Sequence, residues 1–595
     1  MKFQNQFYKS FLACFIIAAI SIGGLFITAQ DLPPNEDLSM GSSIFVFRSG
    51  KTAQKKFVSN NKAKRSKTQR EVVAKRIRKQ YETLASVTNR RNRVKPVVTE
   101  VAANNPVRKN PKEASKDFTN AGLYYHQQNE FDKSIDIYRE AIDLDAANAE
   151  AKLGLSDVLA TKAGILLEAG KALEARGLFE EALTLNDKNA ASYSGLGEIF
   201  DARDENDKAI LNYEKALALD SNLTEIYAPL GILYYEKNDM AKAEDLLAKA
   251  VATNSNDSTT QYFLGVIRYK QNRFEEARTA LTQSTKLDAT LPEAHLSLGE
   301  ALDKLDRDEE AVLSYNEAKR LKPGYFEPWF NLGVLYYEQE KYDEAIAAYK
   351  EAVKYKNDSG EAHANLADAY RQTNRCGLAN GSYSIAANFI KNDSELYSNW
   401  GFCLGKERNW DNAVKRLNEA LALSRDHIDY TNLGWAYYNS AQNDMKMNPP
   451  IDAKPKLLKA KEALLKAVEM NQSFAPANLN LGITLTDLGE YQASVEALKR
   501  ANDSRKNWLF AINELGIAYR KLNDFDNAIK QFERTISINE KYAYGYYNLG
   551  EAQLRKGNPK EAKKALEKLK KLDKYLASSL EIMILRSDKN VKFKD

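Results

Sequence analysis

Apolar residues recur along most of this chain at the spacing expected of paired amphipathic helices. Around residue 333, Trp329, Leu332 and Tyr336 follow the i, i+3, i+7 pattern that places side chains on one face of a helix. A second stripe of the same kind runs from Ala345 to Ala352. The pattern predicts two helices joined by a short turn, each of which buries one apolar face.

A small residue marks the first helix of each predicted pair, and most of these marker residues are 34 positions apart. Glycine inside a helix costs about 1 kcal/mol relative to alanine, so its repeated use indicates that two helices approach closely there. We expect a bulky side chain to fill the space beside each marker. The thirteen markers are Gly122, Ser156, Gly197, Gly231, Gly265, Gly299, Gly333, Ala367, Gly401, Gly434, Gly482, Gly516 and Gly550.

We place thirteen helical repeats in residues 115–576, followed by a capping helix and tail in residues 577–595, with Asp573 as a helix cap. The second repeat exceeds the period around residues 160–170, and the tenth exceeds it around residues 439–456. Insertions in repeat arrays extend loops or helices, and we expect surface loops at both places.

A helix-turn-helix period of 34 residues with these small-residue positions resembles the tetratricopeptide repeat. The resemblance implies an all-α fold, namely a right-handed α-solenoid of about 13 repeats with a C-terminal capping helix, and a role in binding proteins. The sequence departs from the family pattern at the turns between repeats, where only Pro323 supplies the expected proline. Asp, Asn and Ser replace it, and these residues also form turns.

In this family the first helix of each pair lines the concave face, and the residue two positions before the marker is expected to face that groove. An asparagine amide both donates and accepts hydrogen bonds, as a peptide group does, so a row of such amides predicts a peptide-binding groove. The alternative is that each amide bonds a neighbouring asparagine or water. Asparagine occupies the position at Asn120, Asn331, Asn365, Asn399, Asn432, Asn480 and Asn548.

This asparagine pattern also resembles the repeat superhelix of O-linked N-acetylglucosamine transferase, and the likeness extends to those seven positions only. The sequence after the repeats is too short for a glycosyltransferase domain. The interpretation we favour is a non-catalytic scaffold that binds extended polypeptide segments. The alternative is a substrate-selecting subunit of a separate glycosyltransferase-type enzyme.

The net charge of +5 is unevenly distributed along the chain. Residues 41–114 hold 20 Lys or Arg against 4 Glu, which makes them +16, whereas residues 115–595 carry −10. We interpret residues 30–114 as a basic, largely disordered arm and linker. This arm either adheres to an anionic membrane or envelope polymer, at about 1 kcal/mol per basic residue, or serves as a solvated spacer.

Residues 1–29 have the pattern of a signal peptide or signal anchor. Lys2 and Lys9 precede an 18-residue, mainly apolar run from Phe11 to Thr28, and Ala29 follows at a suitable cleavage position. A cleaved signal and an uncleaved anchor give the same topology. We therefore expect an exported protein, in the periplasm, the cell envelope or outside the cell, and expect no nucleic-acid partner.

Residue types that carry chemistry are sparse. Cys376 and Cys403 lie in adjacent repeats, where export permits a disulfide, although two buried thiols are the alternative. The four histidines fall in different repeats, and the sequence has no phosphate-binding glycine loop, paired-carboxylate motif or metal-ligand spacing. The sequence thus predicts no catalytic residue, metal or cofactor, and it leaves the oligomeric state open.

Overall fold

The computed structural model describes residues 110–447 and 450–588. Within these ranges the chain forms 27 α-helices and no strand, which confirms the predicted all-α solenoid of repeats. The predicted leader, residues 1–29, and all of the basic arm before residue 110 lie outside the described residues. No helix in the described ranges combines the length and the apolar character needed to cross a membrane.

The described helices belong to two compact units, residues 110–335 and residues 336–588. The amino-terminal unit contains α1 (Pro111–Gln127), α2 (Phe131–Leu144), α3 (Ala149–Glu168), α4 (Ala172–Leu185), α5 (Ala190–Ala202), α6 (Asn206–Leu219), a 3-10 turn (Thr224–Ile226), α7 (Tyr227–Glu236), α8 (Met240–Thr253), α9 (Ser258–Lys270), α10 (Phe274–Leu287), α11 (Pro292–Asp303) and α12 (Asp308–Leu321). Helix α13 (Phe326–Glu338) contains the boundary between the units.

The carboxy-terminal unit contains α14 (Tyr342–Tyr355), α15 (Gly360–Gln372), α16 (Cys376–Phe389), α17 (Ser394–Lys406), α18 (Trp410–Leu423), α19 (His427–Met445), α20 (Lys454–Met470), α21 (Ala475–Asp487), α22 (Tyr491–Ser504), α23 (Leu509–Lys521), α24 (Phe525–Ile538), α25 (Ala543–Arg555), α26 (Pro559–Leu569) and α27 (Lys574–Asp588). Odd-numbered helices up to α25 are the first helices of repeats, and even-numbered helices are the second helices. Within each unit, a second helix packs against its own first helix and against the first helix of the next repeat.

Most marker residues lie where a first helix meets its own second helix, whereas Gly550 faces Leu580 of α27. A Cβ atom added to Gly197 would lie 2.6 Å from Cδ1 of Tyr213, and one added to Gly516 would lie 2.5 Å from Cε1 of Phe532. Both aromatic side chains are fully buried. The prediction that bulky side chains fill the space beside the markers is therefore confirmed.

Twelve of the thirteen first helices are followed by a residue with left-handed backbone, seven positions after the marker in a repeat of normal length; among the described residues α19 has none. The backbone N–H of the following residue closes the helix, as when Glu130 donates to the carbonyl of Tyr125 at 3.0 Å. Glycine and asparagine adopt this conformation at least cost. The positions are Asn129, Gly170, Asp204, Asn238, Asn272, Asp306, Glu340, Asn374, Arg408, Gly489, Asn523 and Gly557.

Asp and Asn side chains organise the turns between repeats, in the role the sequence assigned to them. After α2, the carboxylate of Asp145 accepts a hydrogen bond from the backbone N–H of Ala147 at 3.0 Å. Asn148 then caps α3 by accepting from the N–H of Ala151 at 3.0 Å. The turn and the start of the next helix are therefore fixed together without proline.

The insertions differ from the expected surface loops, because much of their added length is helical. Helix α3 has 20 residues and α19 has 19, against 13 in α5. The extension of α19 buries Ala441 against Leu457 of α20. Burial of apolar side chains offsets the entropy of ordering the extra residues, which explains why the helices continue.

Both ends of the described chain carry recognisable helix caps. Pro111, which we expected in the linker, is the first residue of α1, and Asn110 caps it. At the other end, Asp573 accepts from the N–H of Leu576 at 3.0 Å, and α27 buries Leu580 and Ile584 against the last repeat. The predicted capping helix is therefore present.

Candidate functional site: the asparagine row of the first helices

The seven predicted asparagines all lie on first helices, but they are not equally accessible. Asn120 is exposed. The other six are buried, with 7% of Asn331, 3% of Asn365, 4% of Asn399, 2% of Asn432, 1% of Asn480 and 5% of Asn548 exposed. We call these seven residues the asparagine row; Asn120 and Asn331 belong to the amino-terminal unit and the other five to the carboxy-terminal unit.

The position two before the marker faces the second helix of the preceding repeat. In the second and third repeats the residue there is glycine. A Cβ added to Gly154 would lie 2.4 Å from Tyr138, and one added to Gly195 would lie 2.2 Å from Phe179. A side chain at this position therefore contacts a large residue sixteen positions earlier in the sequence.

In two repeats the large residue is a tyrosine whose hydroxyl bonds the asparagine. Nδ2 of Asn365 lies 3.5 Å from the hydroxyl of Tyr349, and Asn331 is hydrogen-bonded to the hydroxyl of Tyr315. Burial raises the pKa of both tyrosines well above the usual value. Because a buried hydroxyl needs a partner, these two amides have a structural role.

Asn399 belongs to a buried cluster centred on Asp368. Oδ1 of Asp368 accepts hydrogen bonds from Nδ2 of Asn399 at 3.1 Å and from the hydroxyl of Tyr383. Nε of Arg371 donates to the same oxygen at 3.4 Å. Burial raises the pKa of Asp368, and the Arg371 charge and the hydrogen bonds oppose that shift. The cluster ties α15, α16 and α17 together.

Asn432 and Asn480 have a different environment, because leucines replace the tyrosines that face them. Leu417 and Leu464 occupy the corresponding second-helix positions, and both are fully buried. Neither leucine offers a hydrogen-bonding group. The two amides in α19 and α21 are therefore not engaged in the tyrosine contact of the earlier repeats.

Polar and aromatic groups connect α19 and α21 beside these two amides. The hydroxyl of Tyr438 donates to Oδ2 of Asp487 at 2.9 Å, and Nε2 of Gln442 donates to the same oxygen at 2.8 Å. Burial raises the pKa of Asp487. The ring of Tyr438 stacks on Trp435, with 5.2 Å between centroids. The region thus presents a fixed aromatic surface and shared acceptors.

Asn548 follows the alternative that the sequence left open, since its Nδ2 donates to Oδ1 of Asn513 at 2.9 Å. In the same part of the unit, Glu551 accepts from Arg555 at 3.0 Å and also pairs with Arg520. Burial raises the pKa of Glu514 to about 7. Sequence reasoning missed these inter-repeat pairs and the Asp368 cluster. The sixteen-residue spacing between tyrosine and asparagine was the available signal for the tyrosine contacts.

Cys376 and Cys403 are free and buried, and the structure places their thiols in hydrogen-bond contact. No group of His, Cys, Asp and Glu side chains suitable for a metal occurs in the described ranges. The fold is a helical-repeat scaffold of the kind that mediates protein–protein interactions.

Family profiles identify the repeat itself. Tetratricopeptide repeat profiles match residues 118–148, 161–223, 262–326, 333–374, 475–507, 516–557 and 543–575. The chain therefore contains tetratricopeptide repeats, and no catalytic domain is evident in the part that the structure describes. A profile of anaphase-promoting complex subunit 5 matches residues 405–446.

Solved structures with a similar fold include the APC/C hetero-tetramer Cut9–Hcn1, at 14% identity and a TM-score of 0.33 over 79% of this chain and 96% of that one. YrrB, described as a TPR protein with an unusual peptide-binding site, matches at 25% identity and a TM-score of 0.29, over 31% of this chain and 95% of its own. MamA matches at 24% identity and a TM-score of 0.27, over 29% and 94%. The comparison with curated proteins gives no significant match.

Proposed function

We propose that this protein is a non-catalytic scaffold that binds an extended segment of another polypeptide along the first helices of residues 336–588. In this proposal Asn432 and Asn480 contact the backbone of the bound segment. The predicted export signal in residues 1–29 would place this activity outside the cytoplasm, with the protein either released or anchored in the membrane.

The observation that carries the proposal is the change from tyrosine to leucine opposite the row. Where Tyr315 and Tyr349 face the row, the amides of Asn331 and Asn365 hold the fold together. Asparagine is a mediocre helix former. Opposite a leucine the amide has other partners in place of the tyrosine hydroxyl, and its two donors and two acceptor positions allow it to contact a bound backbone as well.

The chemistry of the amide favours a peptide backbone as the ligand. Successive residues of an extended chain are about 3.3 Å apart, and each presents one N–H and one C=O. A primary amide complements both groups. Asn432 and Asn480 are only 2% and 1% exposed, so in this proposal the side chains that cover them move aside when the segment binds. Recognition of this kind depends little on the bound sequence.

A crosslinking capture tests the proposal in two stages. The full-length chain is expressed in its native compartment and crosslinked, and the captured proteins are identified by mass spectrometry. The Asn432→Ala, Asn480→Ala double variant is compared with an Asn412→Ala, Asn418→Ala control, which removes exposed amides from second helix α18. We expect one discrete set of partners to be lost from the row variant and kept by the control.

The second stage uses a peptide from the captured segment, made with and without N-methylation of alternate backbone amides. Two lost backbone hydrogen bonds of about 1 kcal/mol each correspond to a weakening of roughly thirtyfold. Unchanged affinity for the methylated peptide, or identical captures by both variants, contradicts the proposal. Capture of a separate glycosyltransferase, with its activity co-purifying, supports the alternative role as a substrate-selecting subunit.

A further inference from the structure

The outer face of the capping helix α27 is apolar, although the terminal element of a repeat array normally presents a polar face to water. The helix buries Leu580 and Ile584 against the last repeat. On the side turned away from that contact, Tyr575 is 89% exposed, Ile582 48% and Leu585 55%. Ile582 follows Tyr575 by seven positions and precedes Leu585 by three, so the three side chains form one stripe. We call it the cap stripe, and its exposure indicates that another molecule covers it.

Basic side chains surround the cap stripe. Lys574 and Arg586 lie on α27 at the two ends of the stripe, and Lys571 lies in the turn that precedes the helix; all three are exposed. Neither Lys571 nor Lys574 forms an ion pair with another residue that the structure describes. Residues 556–586 hold nine Lys or Arg against four Asp or Glu. This end of the protein is therefore positive, whereas residues 115–595 as a whole are negative.

These charges favour an anionic partner over a second copy of the chain. Because Lys574 lies at one end of the stripe and Arg586 at the other, two copies of α27 packed face to face in either direction would bring like charges together. The carboxylate of Glu581 pairs with Lys570 at 3.2 Å, so it does not compensate the charges of Lys571 and Lys574. A molecule that covers the stripe and carries negative charge is attracted instead.

The mixture of side chains favours a membrane over an acidic protein. A tyrosine joins an apolar ring to a polar hydroxyl, and a lysine joins an apolar chain to a charged head, so both can lie across the boundary between lipid and water. An amphipathic helix binds at that boundary with its apolar side inserted about 5–10 Å and its basic residues among the anionic headgroups. The cap stripe corresponds to the apolar side of such a helix, and Lys571, Lys574 and Arg586 correspond to its basic residues.

We propose that α27 binds the surface of an anionic phospholipid bilayer, with the cap stripe inserted among the lipids and Lys571, Lys574 and Arg586 on the phosphates. The helix lies along the surface and does not cross it. This binding is separate from the proposed partner binding, because α27 contains no member of the asparagine row. It is also separate from any adhesion by the basic arm, residues 30–114.

A fluorescent label on α27 tests the proposal, because it reports lipid contact by this helix and not by the leader or the basic arm. An environment-sensitive fluorophore is attached at exposed position 578 through Ser578→Cys, in a full-length chain that also carries Cys14→Ser; the thiols of Cys376 and Cys403 are buried. The vesicles contain either phosphatidylcholine alone or equimolar phosphatidylcholine and phosphatidylglycerol, and a parallel set carries brominated acyl chains as contact quenchers. We expect a blue shift and quenching of the label with the anionic vesicles only.

A charge variant with a matched control measures the contribution of the lysines. Each basic residue close to an anionic surface contributes about fivefold to binding, so Lys571→Gln with Lys574→Gln should lower the equilibrium constant for label–lipid contact roughly 25-fold. The control, Lys350→Gln with Lys415→Gln, removes the same charge from exposed positions of second helices α14 and α18. It should leave the equilibrium constant unchanged.

An apolar variant with its own control measures the insertion of the cap stripe. Leu585→Ser should lower the same equilibrium constant roughly fivefold, the effect of withdrawing about half of a leucine side chain from water. Leu378→Ser changes a leucine of second helix α16 that is 57% exposed, against 55% for Leu585, and should have no effect. Loss of contact in both the charge variant and the apolar variant is expected of a bilayer, which offers phosphates and an apolar phase together.

Soluble polyglutamate, which is anionic but has no apolar phase, distinguishes a membrane from an acidic protein, and circular dichroism verifies that every variant keeps its helices. The proposal is overturned if the label responds to polyglutamate and not to anionic vesicles, if neutral and anionic vesicles give the same response, or if the variants and their controls behave alike. Contact with anionic vesicles that both variants weaken and both controls keep supports it, whether or not the asparagine variants affect partner capture.

Discussion

Replacing two glycines of neighbouring repeats by alanine should change stability in opposite directions. Gly177 lies in second helix α4, where an added Cβ would meet no atom within 4 Å. Gly197 lies in first helix α5, where the same atom would lie 2.6 Å, 2.7 Å and 3.0 Å from three ring carbons of Tyr213. The chemical change is identical, so packing alone should determine the difference.

The magnitudes follow from two opposing contributions. Alanine gains about 0.5–1 kcal/mol over glycine in a helix because it loses less backbone entropy on folding. At Gly177 this gain should appear in full. At Gly197 it is opposed by overpacking of about 1–3 kcal/mol, because Tyr213 is 0% exposed and has no free space to move into. The net effect of Gly197→Ala should be a loss of up to about 2 kcal/mol.

Urea denaturation of the full-length variants, followed by circular dichroism, measures the free energy of unfolding. Repeat arrays can unfold in stages, so hydrogen exchange of the amides in α4, α5 and α6 should accompany it and locate the change. If Gly197→Ala stabilises these helices as much as Gly177→Ala does, the contact between α5 and Tyr213 does not restrict the marker position to glycine. The packing argument would then be wrong.

Three further predictions concern single groups. Tyr383→Phe removes a hydrogen bond to buried Asp368 and should lower the free energy of unfolding by about 1–3 kcal/mol in urea titrations. The control Tyr355→Phe, at a 39% exposed position, should change the same free energy by less than about 0.5 kcal/mol. Arg408→Gly relieves a left-handed backbone with φ of 59° and should raise the thermal midpoint, reflecting a gain of up to about 1 kcal/mol; a lower midpoint contradicts this. Burial raises the pKa of Glu225 to about 7, so the folded state binds this proton more tightly than the unfolded state, and stability should fall by on the order of 1 kcal/mol between pH 5.5 and 8. Glu225→Gln should remove that part of the pH dependence, and an unchanged pH profile would show that the group is not responsible.

The repeat architecture could be predicted from the sequence because each signal is local. The 34-residue period and the markers identify helix pairs, and Asp145 and Asn148 show how short polar side chains end one helix and begin the next. The position seven residues after the marker, which our sequence analysis did not use, is also mostly Asn, Asp or Gly, with Glu340 and Arg408 as exceptions. These features depend on residues a few positions apart.

The site was harder to predict because its contacts join different repeats. The bond from Asn399 to Asp368 spans 31 positions, and that from Asn548 to Asn513 spans 35. Which residues meet across two repeats depends on how one helix pair is rotated relative to the next. The 34-residue period does not specify that rotation. The sequence placed all seven asparagines on first helices, but it did not separate those that bond tyrosines from those opposite leucines.

The exchange of tyrosine for leucine opposite the row also sets how the carboxy-terminal unit responds to force. The bond between Asn365 and Tyr349 is directional and resists rotation of α15 against α14. The contacts of Leu417 and Leu464 have no preferred direction, so the alignment of α19 and α21 depends instead on the bonds of Tyr438 and Gln442 to Asp487. The unit therefore resists tension at different kinds of contact along its length, and between α19 and α21 the load should fall on the Asp487 bonds.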